Sequence, residues 1–252
     1  MFGKELLVQT QLVDNQLTAP LLTDNQLIDP SGRIFPYLRL SITDVCNFSC
    51  QYCLPNGYRC ETKKSFLTIS EIKNLATAFA QLGCQKIRIT GGEPSLRKDL
   101  IEIIQTLKAI PGIHQIAITT NGYKLKERIN NWVAAGLTHL NVSVDSLDPK
   151  LFESLTGHNR LKDIMQGIKL ALELPLQKVK LNAVLLNKIN SHQLDDYLGL
   201  LKNDKLSLRF IELMQTGDNL EYFNQFHFYK TPWMEHFTIF TKKIISREHQ
   251  FY

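Results

Sequence analysis

The chain has 252 residues, 44% of them hydrophobic, which is enough for one large core and a single main α/β domain. Its 29 basic and 24 acidic residues leave a net charge of +5, mild and spread out, which argues against a dedicated nucleic-acid surface and fits a pocket for an anionic small molecule. Five cysteines without a paired framework or a secretory signal, and no apolar run long enough to cross a bilayer, lead us to expect a soluble cytoplasmic protein.

In chain order, residues 1–34 carry a near-repeat, Val13-Asp-Asn-Gln-Leu17 and Thr23-Asp-Asn-Gln-Leu27, without helical periodicity, and are expected to be a poorly ordered extension. From Tyr37 onward, alternating runs separated by helical patterns predict βα units and a parallel sheet. Six strands are expected: Leu38 to Ile42, Lys86 to Thr90, Gln115 to Thr119, His139 to Val144, Lys178 to Val184 and Leu206 to Ile211. Between the first two, Thr68-Ile-Ser-Glu71 predicts a capping box for a helix with Ile72, Leu75, Phe79 and Leu82 on one face and Gly83 as its stop. A second helix is expected from about Lys124 to Gly136, burying Leu125, Ile129, Trp132 and Val133.

Alternation along the strands separates an apolar face that packs under helices from a face carrying Arg39/Ser41, Arg88/Thr90, Ala117/Thr119, Asn141/Ser143/Asp145, Lys180/Asn182 and Arg209. A closed eight-stranded barrel would fill its interior with branched apolar side chains, so this polar face predicts a polar ligand inside an open, partial (β/α)6 barrel of the TIM type. Chemistry is then expected at the C-terminal ends of the strands.

One loop at that end is unusual. Cys46-Asn-Phe-Ser-Cys50-Gln-Tyr-Cys53 offers three thiols within eight residues, which suits an iron-sulfur cubane whose fourth iron has no protein ligand. Zinc would need a fourth Cys or His, and a disulfide would leave one thiol odd. Cys60 and Cys84 lie outside the loop and are expected to be idle.

A Cys-x3-Cys-x2-Cys loop with Tyr52 before the last cysteine, followed after the next strand by Gly91-Gly92-Glu93-Pro94, resembles the radical S-adenosylmethionine (SAM) superfamily. Tyr37 to Pro55, Lys86 to Pro94, Thr119-Thr-Asn-Gly122, Asn141-Val-Ser-Val-Asp145, Lys178-Val-Lys180 and Arg209 to Met214 together resemble, within it, the GTP 3′,8-cyclase family of molybdenum-cofactor (molybdopterin) biosynthesis, from about Pro36 to Asn219. The resemblance implies a [4Fe-4S] cluster on Cys46, Cys50 and Cys53, SAM contacts at Tyr52, Gly92, Ser143 and Met214, and GTP contacts at Arg39, Arg88, Thr119 and Lys180. It implies a lyase without catalytic side chains beyond cluster and SAM. The cluster's electron cleaves SAM, and the 5′-deoxyadenosyl radical takes hydrogen from the ribose C3′ of GTP. Closure onto C8 gives (8S)-3′,8-cyclo-7,8-dihydroguanosine 5′-triphosphate. Gly91 and Gly92 are expected to let backbone approach the SAM amino group, and Glu93 to help neutralise it. The partners implied are an electron donor, the next enzyme of molybdopterin synthesis and a second copy in a homodimer, with neither nucleic acid nor membrane.

The family also carries a second cluster on later cysteines, whereas this sequence has no cysteine after Cys84. Residues 35–214 are therefore expected to form the core barrel without the family's C-terminal second-cluster domain. Residues 215–252, with aromatics such as Phe226, Tyr229, Trp233 and Phe237, read as a truncated or out-of-frame tail or, alternatively, as a docking segment that closes the barrel. The expectation is one cluster, SAM cleavage and poor cyclisation. A non-catalytic SAM- and cluster-binding remnant, or a radical SAM enzyme with another substrate, are the other readings.

Overall fold

The computed structural model describes residues 21–23, 26–59, 65–201, 204–216 and 219–227. Six parallel strands, β3 (Tyr37–Ser41), β4 (Lys86–Thr90), β5 (Gln115–Thr120), β6 (His139–Ser143), β7 (Lys178–Leu185) and β8 (Leu206–Glu212), pair in sequence order. They follow a short antiparallel pair, β1 (Leu21–Thr23) and β2 (Gln26–Ile28). Among the described residues no ladder joins β3 to β8, so the sheet is an open, partial barrel, as the six βα units predict. The helices are α1 (Ile69–Gln81), α2 (Leu100–Lys108), α3 (Leu125–Ala135), α4 (Pro149–Thr156), α5 (Leu161–Glu173), α6 (Leu194–Gly199) and α7 (Leu220–Phe226).

Local sequence explains the boundaries. Thr68 and Glu71 form the expected capping box, with Glu71 N–H donating to Thr68 Oγ1 at 3.2 Å and Thr68 N–H to the Glu71 carboxylate at 2.8 Å. The chain leaves α1 and α3 through Gly83 and Gly136, both left-handed. The buried face of α1 is centred on Ile72 and Ala76, while Leu75 is 36% exposed. At 100° per residue, position 76 lies closer to the direction of Ile72 than position 75 does, and this rotates Leu75 onto the flank.

The apolar strand faces build the core. Leu40, Ile42, Ile87, Ile89, Ile116, Ile118, Leu140, Val142, Val144, Val179 and Leu181 are all buried, together with Ile103, Ile104, Leu107, Ile129, Trp132, Ile164 and Ile168 of α2, α3 and α5. Cys84 is buried there too, its thiol donating to Lys86 O at 3.3 Å; Cys60 falls outside the described residues.

Both ends differ from the sequence expectation. Within the expected disordered extension, β1 and β2 pair from Leu21↔Ile28 to Thr23↔Gln26, and Leu27 N–H reaches Leu82 O at 3.1 Å beyond α1. The first copy of the near-repeat lies outside the described residues. At the other end, Tyr222, Phe223 and Phe226 do carry helical spacing: α7 lays them against Leu155, Leu186, Leu213 and Tyr52. Residues 228–252, with their remaining aromatics, lie outside the description.

Candidate active site

The cysteine loop leaves β3 at the C-terminal end of the sheet and is tied down from several sides. Phe48 is 3% exposed, stacked on His158 at 5.0 Å and edge-on to Tyr123 and Phe152, which anchors the loop's middle in the core. Ser49 N–H and Gln51 N–H donate to Thr156 O and Leu155 O at the end of α4, at 3.1 and 3.2 Å. Asn47 is held by Asn121 Nδ2 at 2.9 Å and by the His158 ring nitrogen on its carbonyl at 2.7 Å. Cys50 O then accepts from both Cys53 N–H and Leu54 N–H, closing the turn that carries Tyr52. Cys46 and Cys50 are half-buried and Cys53 is exposed.

Gly91 and Gly92 are required here for loop packing, whatever else they admit. A Cβ on Gly91 would stand 2.2 Å from Thr43 O, and one on Gly92 2.4 Å from Val45 O and 2.5 Å from Asp44 O. The Gly-Gly turn lies flat on the backbone that leads into Cys46, with Gly92 N–H donating to Thr43 O at 2.8 Å and Glu93 N–H to Val45 O at 2.7 Å. Their bareness therefore serves loop against loop.

Glu93 has a structural task of its own beside the expected one. It is fully buried, and its carboxylate accepts from Ser95 N–H at 2.9 Å, Thr120 Oγ1 at 2.7 Å and Asn121 N–H at 2.6 Å. Burial pushes its pKa up, and these donors oppose the shift. It pins the Gly-Gly-Glu-Pro turn to the end of β5.

The barrel interior is layered by register. Arg39, Arg88, Ala117, His139 and Lys178 are mutual neighbours across β3 to β7. Two residues nearer the C-terminal end lie Thr119, Asn141, Lys180 and Ser207, and beyond them Ser143, Asn182 and Arg209. The expected contacts Arg39, Arg88, Thr119, Lys180 and Ser143 thus share one face, but the cations occupy two levels, with Lys180 nearer the cysteine loop. Arg88 is half-buried with its guanidinium 5.1 Å from the centre of the Tyr37 ring. Met214 is 72% exposed just beyond β8.

This interior is polar beyond what its internal bonds satisfy. Tyr37 Oη, Arg88 Nε, Asn182 Oδ1 and Ser207 Oγ are buried without a hydrogen-bond partner, a costly arrangement unless a ligand supplies the missing partners. Burial, followed by Lys86, Arg88, Lys178 and Lys180, pushes His139 down to about 4. Tyr37, Lys86, His139 and Lys178 were not among the expected site residues. They have the same strand parity as Arg39, Arg88, Asn141 and Lys180, and that signal would have found them.

A groove of about 740 Å³ lies outside this interior, between Phe66–Ser70 at the start of α1 and Leu96–Asp99, with Thr43 and Val45 of the segment leading into Cys46 also lining it. Its arginine, Arg97, is spent on Asp99, Ile42 O and Leu67 O, which leaves the cationic interior as the better anion site.

Residues 40–201 match the radical SAM superfamily. The chain belongs to that superfamily. Curated radical SAM relatives include proteins named GTP 3′,8-cyclase from Haemophilus influenzae (strain PittGG), 51% identical over 205 residues and 81% of this chain, and from Stenotrophomonas maltophilia (strain K279a), 55% identical over 203 residues and 81% of this chain. A third, from Psychromonas ingrahamii, is 49% identical over 227 residues and 90% of this chain. The chain spans 61% to 62% of the length of these relatives. Among solved radical SAM folds, Streptococcus suis SuiB bound to S-adenosylmethionine superposes with a TM-score of 0.65 at 19% identity, covering 84% of this chain and 48% of that one. Methylornithine synthase follows at 0.57 and 20% identity, covering 72% and 54%.

The donor set fits the superfamily's cluster. Among the described residues no three His, Cys, Asp or Glu side chains stand close enough to share one ion; a cubane asks less of them, because each thiolate binds a different iron. Burial pushes all three thiols up, with the Asp145 carboxylate adding to the shift at Cys50 and Cys53. The metal-free thiols are therefore protonated at neutral pH, and a cluster taken up on them would have to displace those protons. Among the described residues no helix is long and apolar enough to cross a membrane.

Proposed function

We propose that this chain carries the SAM-cleaving and GTP-binding core of a GTP 3′,8-cyclase, residues 35–214. The observation that carries the reading is a cation-lined interior with orphaned buried polar atoms, opening toward a loop of three cysteines; the curated relatives' name supplies the nucleotide. In this reading Cys46, Cys50 and Cys53 hold one [4Fe-4S] cluster, with SAM against Tyr52, Gly92, Ser143 and Met214. When bound, cluster and SAM supply a 5′-deoxyadenosyl radical.

The chain's own residues bind and orient. Arg39 and Arg88 receive phosphate oxygens, with guanidinium forks suited to bidentate contact, and Lys180 acts as a point charge one level higher. Thr119, adjacent to Asn141 and Lys180 in the ladder, contributes a hydroxyl to the same nucleotide. Phosphates at the cationic levels leave the ribose nearer the cysteine loop, where its C3′ must come within van der Waals reach of the radical. An electron donor, the next enzyme of molybdopterin synthesis and a second copy of the chain are the partners this reading calls for.

Anaerobic reconstitution tests it. About four irons per chain are expected, with 5′-deoxyadenosine released after reduction and GTP binding lost in Arg88→Ala and Lys180→Ala. Iron uptake with SAM cleavage but no measurable affinity for GTP would favour another substrate.

A further inference from the structure

Tyr52 is held from two opposite directions. Its hydroxyl donates to Asp145 Oδ2 at 2.7 Å, and its carbonyl accepts from Asn219 Nδ2 at 3.0 Å. Asp145 follows β6, is 3% exposed, and takes Val184 N–H of β7 on its other carboxylate oxygen at 2.8 Å. Its carbonyl is fixed by Asn190 Nδ2 at 2.6 Å. Asn219 precedes α7, is 6% exposed, and uses its remaining amide capacity on Met214 O at 3.2 Å and on Thr216 N–H at 2.7 Å. Two buried side chains from distant parts of the chain therefore converge on Tyr52, the residue directly before Cys53.

Resting on the cluster-and-SAM reading above, we propose that Asp145 and Asn219 are positioning residues that clamp Tyr52, fixing Cys53 and the orientation of the open cluster corner where SAM binds. Asn219 also joins this corner to the exit of β8, because the same amide grips the carbonyls of Tyr52 and Met214. The clamp acts through Tyr52 and touches neither cluster nor substrate. Loss of either side frees the Cys50–Cys53 turn without removing a thiol. The expected phenotype is then weaker SAM engagement at a normally loaded cluster.

The test compares the reconstituted parent with Tyr52→Phe, Asp145→Asn, Asn219→Ala and Asn219→Asp. Iron per chain and the EPR signal of the reduced cluster are followed through a SAM titration, with KM and kcat for 5′-deoxyadenosine release. All four variants should load the parent's iron, while the SAM concentration that shifts the EPR signal and the KM for SAM rise about tenfold, the scale of one or two lost hydrogen bonds; kcat should fall less. Asn219→Asp keeps the acceptor for Thr216 N–H but loses both donated bonds, so it should behave like Asn219→Ala. Rescue by Asp would reduce Asn219 to a turn residue and overturn its part in the clamp. Tyr52→Phe removes a single hydroxyl and keeps the ring, so it decides the Asp145 side should Asp145→Asn fail to fold. A parent whose EPR signal ignores SAM would overturn the cluster-and-SAM reading and the clamp with it. A responsive parent whose variants respond at the parent's SAM concentration overturns the clamp alone.

Discussion

Three buried side chains that brace the cysteine loop and four in the barrel interior treat their polar groups in opposite ways, although Ser95 Oγ and Tyr222 Oη near the loop are also buried without a partner. Around the loop, the buried Glu93, Asp145 and Asn219 side chains have both ends of their polar groups used, and the Gly-Gly turn fits against it with no room for a methyl group. Inside the barrel, Arg88 Nε, Tyr37 Oη, Asn182 Oδ1 and Ser207 Oγ have no partner, and like charges stack by register. A satisfied network rigidifies, and an unsatisfied one costs stability until something binds. In the proposed reading the loop is built in advance of a cluster, whereas the interior would be completed by a ligand.

The largest effect should come from the loop. Cys53→Ala deletes the exposed thiol of the loop's three, so iron uptake and 5′-deoxyadenosine formation should fall to background while the circular dichroism of the metal-free chain stays at the parent's. Glu93→Ala should come next, because three buried donors lose their acceptor. Unfolding of the metal-free chain should cost about 3 kcal/mol less than in the parent, read by denaturant titration. A loss within 0.5 kcal/mol would remove the distinction between the two regions.

The interior predicts the reverse sign. Arg88→Met removes a half-buried cation with an orphaned Nε and should stabilise the ligand-free chain by about 1 kcal/mol, while GTP binding weakens at least tenfold, as calorimetry can measure. The smallest effect concerns pH. His139 is held below its unfolded value, so its neutral form contributes stability that is complete above about pH 6.5 and is lost as pH falls through about 4. Solvent reaches part of the ring, so the loss should be about 1 kcal/mol. It should be absent in His139→Gln and reduced when inorganic triphosphate fills the interior, as melting temperatures between pH 7 and 4 would reveal.

Much of this contrast was legible in the residues. Period-two alternation located the strands and separated Leu38/Leu40/Ile42 from Arg39/Ser41, because a one-sided apolar pattern is demanded by helices on one face only. Spacing alone singled out Cys46, Cys50 and Cys53. What stayed hidden depends on register or on distant partners. The joining of Arg39, Arg88, His139 and Lys178 in one layer is a property of four ladders. The bracing role of Glu93 stays hidden because its partners Thr120 and Asn121 lie one βα unit away. Tyr222, Phe223 and Phe226 read as a tail because seven residues are too few for a convincing helical period, and only docking against Leu155, Leu186 and Leu213 makes them a helix.

If the loop and the interior are two halves of one site, a radical made at the first must reach a nucleotide held in the second. Incubating the reconstituted, reduced chain with SAM and GTP deuterated at C3′, then weighing the 5′-deoxyadenosine by mass spectrometry, tests that link directly. One deuterium transferred into 5′-deoxyadenosine is the expected result. Unlabelled 5′-deoxyadenosine, formed at the same rate with and without GTP, would contradict it.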